Sequence, residues 1–345
     1  MYRGDPALTG VSSSSLPAKP VLLWSFKTGG LVRSSPVVAI GKVFVGSDDS
    51  KVYALDFKTG SKVWEFKADG PVEAAPLFYS NKVFVGSTEG AFFALDGATG
   101  KQLWKYGTEG KIAGSANFFV NAGKPSLLIG SYDFKLHCLD AITGKSNWTY
   151  ETGNYVNGTP AIANGQTIFG GCDAIIHIIS LANGTKVKEI PAGAYIAASV
   201  ALADNRAYFG HYENEFLCVD LGDGKVTWRF RDREFPFFAA AAVTKDRVVF
   251  GGDDKAVHCL NRADGKSQWT FNTRGKVDSS PVVAGDKVVF GSYDGRVYIV
   301  GLGDGKEQWS YELGQPVVSS PAVADEKIVI GCDDGNVNCF GSSKK

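Results

Sequence analysis

The chain carries no excess charge of either sign, 36 lysines and arginines standing against 36 aspartates and glutamates over 345 residues. With no basic stripe and no interleaving of aromatic and basic residues, a nucleic-acid partner is not expected. No apolar run approaches the length that spans a bilayer, so no transmembrane segment is expected either. The only methionine is Met1, and no useful length of the repeating unit has helical periodicity, which argues against helical packing. The six cysteines include no C-x-x-C and no adjacent pair, and the four histidines have no metal-ligand spacing. No metal site is therefore expected. The opening MYRGDPALTG lacks a basic start and an apolar stretch, so it does not read as a signal peptide. A mature exported, periplasmic domain is the expectation, with the cytoplasm as the alternative.

Glycine is what the chain has in quantity, 42 residues, and it suits many tight turns between short strands. Tryptophans stand at 24, 64, 104, 148, 228, 269 and 309, about forty residues apart, with one gap near 188. Most close a common frame: TGSKVW at Trp64, TGKQLW at Trp104, TGKSNW at Trp148, DGKVTW at Trp228, DGKSQW at Trp269 and DGKEQW at Trp309. In the gap NGTKVK keeps the glycine turn and puts Lys188 in place of the ring. Eight repeats follow, one of them degraded, and the seam after Lys188 is expected to be the softest.

Within residues 31–68, SSPVVA, KVFVGS, KVYALD and KVWEFKA are four short runs separated by turn residues. Four antiparallel strands repeated eight times predict an all-β, eight-bladed β-propeller. The first run, VLLWSFK (21–27), matches a fourth strand, while the C-terminal end supplies three strands and lacks the fourth. The N-terminal strand is thus expected to close the last blade. The blades fall at 31–68, 71–108, 111–152, 155–192, 195–232, 235–273, 276–313, and 316–340 closed by 21–28. They form one domain, 21–345, preceded by a 1–20 extension whose VSSSSLPAKP (11–20) reads as a flexible or extended tether.

The unit resembles the pyrroloquinoline-quinone-type propeller repeat, A-x-D-x-x-T-G-x-x-x-W, seen here as Ala54, Asp56, Thr59, Gly60 and Trp64, and again as Ala94, Asp96, Thr99, Gly100 and Trp104. The resemblance covers essentially all of 21–340, and YRGDPALTGV (2–11) is similar to the leader before many bacterial propellers of this type. It implies that each indole docks on the neighbouring blade. The family's dehydrogenases use adjacent cysteines, a tryptophan floor, calcium and an aspartate base. With no such cysteine pair, and with all seven tryptophans consumed in docking, pyrroloquinoline quinone with calcium is the disfavoured cofactor expectation and an enzyme the weaker reading.

Alignment of the repeats also accounts for the cysteines. Cys138, Cys218, Cys259 and Cys339 share the position of Ala54 and Ala94 and read as small buried apolar residues. Cys172 and Cys332 are expected to share a second position, in blades too far apart for a disulfide. Function is sought where the repeats disagree. The residue before each small pair of strand one reads Arg33, Glu73, Ala113, Asn157, Ala197, Phe238, Asp278 and Val318. Its neighbour stays apolar from Val32 to Val317, so alternation leaves the mixed position facing the channel. Arg33, Glu73, Asn157 and Asp278 are candidate polar contacts at the channel mouth. Tyr155, Tyr195, Phe235 and Phe238 mark the same face as a candidate protein or peptide contact. The expected function is a monomeric, non-catalytic interaction scaffold resembling the bacterial assembly-factor (BamB-like) propellers. A quinone-dependent dehydrogenase or small-ligand binder is the alternative.

Overall fold

In a computed structural model, which describes residues 1–121 and 123–343, the chain is all-β, with no helix among the described residues. Eight sheets form eight blades of four antiparallel strands. In blade one the strands are Val37–Ala39, Lys42–Ser47, Lys51–Asp56 and Lys62–Lys67, numbered from the axis outward. The two middle strands are nearly continuous buried runs because both of their faces meet a neighbouring blade. Val21–Lys27 pairs antiparallel with Asn336–Gly341, so the N-terminal strand closes blade eight.

Adjacent blades meet at two kinds of seam contact, and both place a side chain on a glycine. Near the mouth, the glycine of each second strand lies under the first-strand apolar residue of the next blade. A Cβ on Gly46 would collide with Val72, on Gly170 with Ile196, and on Gly331 with Val32. Farther out, six of the seven indoles lie against the turn between the third and fourth strands of the next blade. At Gly60, a Cβ would stand 2.6 Å from the Trp24 ring, and φ is +74° there. Only glycine satisfies both the space and the left-handed backbone. Gly100, Gly144, Gly184, Gly265 and Gly305 take Trp64, Trp104, Trp148, Trp228 and Trp269 in the same way. The indole N–H of Trp64 donates to Gly97 O at 3.2 Å, and that of Trp269 to Leu302 O at 2.9 Å. Trp309 faces the blade whose outer turn is replaced by the two chain ends, and it packs instead on Tyr311 and Phe340.

Lys188 retains part of this contact. Its ammonium donates to Leu221 O at 3.3 Å and Gly222 O at 2.7 Å, taking the carbonyl that an indole N–H would take. Packing above Gly224 is looser, the nearest atom standing 3.4 Å from the Cβ position.

Cys138, Cys218, Cys259 and Cys339 each lie directly across the strand pair from a tryptophan, where a small apolar group fits beneath the ring. Burial pushes the Cys138 and Cys339 thiols up to about 12. One alignment is corrected. The amides of Val32 and Ile196 donate to Cys332 O and Gly171 O, so Cys332 corresponds to Gly171, and Cys172 stands one position later, on the turn. The Gly170-Gly171 doublet hides this shift in the sequence.

Residues 1–20 are not a free tether. Pro6, Ala7, Thr9 and Gly10 accept, in turn, the amides of Ile162, Leu202, Val243 and Val283, one from the innermost strand of each blade from four to seven. Asn117 of blade three donates to Pro6 O, and Val11–Ser12 pairs in parallel with Val283 and Ala284. Leu8 and Leu16 are buried among blade residues. The segment crosses the axis and closes the channel from one side.

Two substitutions measure the seams. Trp64→Ala should cost about 3–5 kcal/mol in urea unfolding, because it removes a buried ring as well as a hydrogen bond. Lys188→Ala should cost about 1 kcal/mol, the scale of a single net hydrogen bond. Equal costs would show that the lysine replaces the ring in full.

Candidate functional site

The turns between second and third strands and the loops entering first strands surround the open end of the channel. The mixed position of the sequence lies there. Glu73, Asn157, Phe238 and Asp278, with Ala113, Ala197 and Val318, line a cavity of about 200 Å³ whose floor includes Tyr2. Alternation along each first strand produces this arrangement: Val32, Val72, Val156 and Val277 turn into the seams and are fully buried. One layer below, hydroxyls bind blade to blade around the axis. Ser115 N–H donates to Thr159 Oγ1 at 3.0 Å, Thr159 N–H to Ser199 Oγ at 2.9 Å, and Ser280 N–H to Ser320 Oγ at 3.0 Å.

Around this cavity the rim is divided. From blade seven through blade two it is charged, and Asp253 of blade six and Lys111 at the start of blade three bound this arc. Arg33 does not line the cavity but pairs with Asp333 of blade eight at 3.2 Å. Lys111 reaches back to Glu73 at 2.6 Å, and Lys276 holds Asp278 at 2.8 Å and lies over the Tyr293 ring. Asp253 stands beside Asp278. Burial, then the neighbouring carboxylate, pushes its acid up to about 6. Asp48 is also raised, by burial and by Glu73. One carboxylate oxygen of each of Asp48, Asp253 and Asp278 is buried without a hydrogen-bond donor, as is Asn157 Oδ1.

From blade three through blade six the rim is aromatic. Tyr155 stacks on Tyr132 at 4.4 Å with Phe134 at 5.3 Å, and Tyr212 bridges Tyr195 at 6.3 Å and Phe238 at 4.7 Å. Tyr155, Tyr195, Tyr212, Phe134 and Phe235 are all exposed. Phe235 stands apart from both clusters, making no ring contact, while Phe237 of the same loop is core. Sequence reasoning singled out Tyr155, Tyr195, Phe235 and Phe238 but left Phe134 aside. The only signal for Phe134 was a phenylalanine in a turn position filled elsewhere by Ser50, Gly90 and Gly295.

Asp232, Asp254 and His258 could offer three metal-ligand atoms within 4.8 Å of one another. Asp254 is already engaged, accepting from Ala256 N–H and lying 2.7 Å from His258 Nε2. The same turn-to-strand pin recurs as Asp133–His137, Asp173–His177 and Asp294–Tyr298. The pin is therefore a property of the repeat. The mouth presents neither an indole nor a pair of adjacent cysteines. All seven indoles lie on outer strands, Cys172 has no neighbouring cysteine, and the cavity walls are mostly alanine, glycine, serine and threonine.

The model of the family described as outer membrane protein assembly factor BamB matches residues 17–123, 172–316 and 218–342. A search among curated proteins finds no match. Among solved structures, BamB from Moraxella catarrhalis aligns over 94% of this chain and 100% of its own, with TM-score 0.78 and 18% identity. The computationally designed Ika8 protein gives TM-score 0.82 at 18% identity, over 93% of this chain and 99% of its own. A quinohemoprotein alcohol dehydrogenase from Comamonas testosteroni gives 0.83 at 16%, over 99% of this chain and 80% of its own. At these identities the structural likeness concerns the fold.

Asp253 generates a pH prediction. Its folded value lies above the ordinary carboxylate value, so its contribution to stability is fully present below about pH 4 and is lost as pH rises through about 6. Asp253→Asn should therefore raise the melting temperature at pH 7.5, by about 1 kcal/mol of stability after solvent screening. The gain should fade toward pH 4. A pH-independent difference in thermal scans would show that the carboxylate pair is not the cause.

Proposed function

The chain belongs to the family of the outer membrane protein assembly factor BamB, and on that premise we propose that it is a non-catalytic scaffold that holds a protein partner across its channel mouth. The observation that carries this reading is the divided rim, with exposed, mutually stacked aromatics on blades three to six and a charged arc on blades seven to two. Tyrosine and phenylalanine already fixed by their neighbours lose little side-chain freedom on binding and bring large apolar area. The charged arc contains Asp48, Glu73, Asp253, Asp278 and Asp333 against Arg33, Lys111 and Lys276, an acidic excess that complements a partner segment bearing lysine or arginine. Closure of the channel behind the mouth favours docking on the rim over passage through it. The family name favours the bacterial envelope as the place of action, with the chain acting as a monomer.

The test replaces Tyr155, Tyr195 and Phe238 together by serine and compares partner capture from the native host with wild type and with an outer-strand control, Val187→Ser. Partner recovery should fall by about tenfold or more, the weight of about 1.4 kcal/mol at a hot spot. Undiminished capture would remove the mouth as the contact surface.

A further inference from the structure

Among the described residues Arg3 is the most deeply buried cation, 5% exposed, and no carboxylate is paired with it. Its guanidinium donates to Pro281 O at 2.7 Å and Ala241 O at 2.6 Å, both carbonyls, and Nε has no acceptor. Asp5, two residues on, is turned away to the Thr9 amide and hydroxyl. Buried charges are ordinarily paired, because an unpaired one forfeits its hydration with nothing to replace it.

Arg3 lines a cavity of about 270 Å³ between the N-terminal segment and the innermost strands of blades eight and one. The segment accepts one inward amide from each of blades four to seven, as described above. The corresponding amides of blades eight and one belong to Val323 and Val38, which line the cavity and have no acceptor across the channel. Ser35 and Ser320 add hydroxyls whose oxygens already accept neighbouring amides, leaving their protons to donate inward. No aspartate or glutamate lines the space. Donors therefore converge there from three directions around one buried positive charge, with Val37, Val282 and Ala322 as apolar wall.

We propose that this cavity binds a small organic anion, its carboxylate or phosphate group held by the Val38 and Val323 amides and the Ser35 and Ser320 hydroxyls in the field of the buried Arg3 charge, its carbon skeleton against the valine wall. The volume lies just below the range of about 300–1,000 Å³ usual for small-molecule pockets, which suits a compact metabolite. The site shares Tyr2, Ser35 and Ser320 with the cavity at the mouth, but its Arg3, Val38 and Val323 do not line that cavity.

The experiment titrates the full chain by calorimetry with succinate, glycerol phosphate and inorganic phosphate, each against chloride at matched ionic strength. At least one should bind the wild type, and the preferred anion distinguishes carboxylate from phosphate. Arg3→Gln should weaken that binding by about tenfold or more. Ser13→Asp, which places a competing carboxylate at the exposed rim of the same cavity, should weaken it similarly while leaving the melting temperature no lower than wild type. Should Arg3→Gln fail to fold, Ser13→Asp decides. Affinities within about twofold of wild type in the folded variants, or no heat from any of the three anions at about 10 mM, would overturn the assignment.

Discussion

Everything in this ring depends on how closely one blade's backbone can approach the next. A β-sheet whose two faces are both covered must be packed by its neighbours, and here the covering is densest where a glycine leaves room for a valine, isoleucine or indole. The contact at the second-strand glycine recurs at all eight seams, including those beside Lys188 and Trp309, where the indole contact is altered or lost. An altered indole therefore does not open the ring, because the inner contact is independent of it. Five seams also carry a backbone amide bonded to a serine or threonine hydroxyl of the next blade, at Thr159, Ser199, Ser280, Ser320 and Ser35, which keeps the channel wall from spreading at the mouth.

The repeated features were legible in the sequence because repetition averages out local accidents. Blade number, strand count, closure by residues 21–27 and the burial of Cys138 and Cys339 all come from positions that recur with a fixed chemical character. The channel-facing position was legible for a related reason: alternation makes one residue constant, Val32 to Val317, and leaves its neighbour free to vary. What could not be read was anything that occurs once. YRGDPALTGV has no periodicity, little apolar content and several turn residues, the composition of a loop. Its order comes from inner-strand amides that only the closed ring brings together. The Cys172 offset came from a glycine doublet, which no rule of spacing resolves without the hydrogen bonds on either side.

The division of the rim was half legible. Tyr155 and Tyr195 announce themselves as aromatics at a position filled elsewhere by Leu31, Lys111, Lys276 or proline. That they form two stacked clusters, and that the charged residues occupy the complementary arc, depends on turns of adjacent blades meeting at the axis. Tyr132 and Tyr155 are 23 positions apart in the chain, yet their rings are 4.4 Å apart. Arg33 and Asp333 lie at opposite ends of the sequence and meet only because the ring closes.

The first 27 residues couple two tasks that propellers can separate. Val21–Lys27 supplies the last strand of blade eight, and the residues before it lace the inner edges of blades four to seven. A closing strand alone ties the ring at one seam and leaves the innermost strands, only two to five residues long, with unpaired inward amides. The lacing segment satisfies those amides in four successive blades, and it fixes the channel radius because each carbonyl must meet its own blade. Where it passes blades eight and one it turns outward toward the closing strand, so the amides there are left over and Arg3 remains beside them without an acid. The same geometry that ties the ring thus creates both a closed floor beneath the mouth and a donor-lined space behind it.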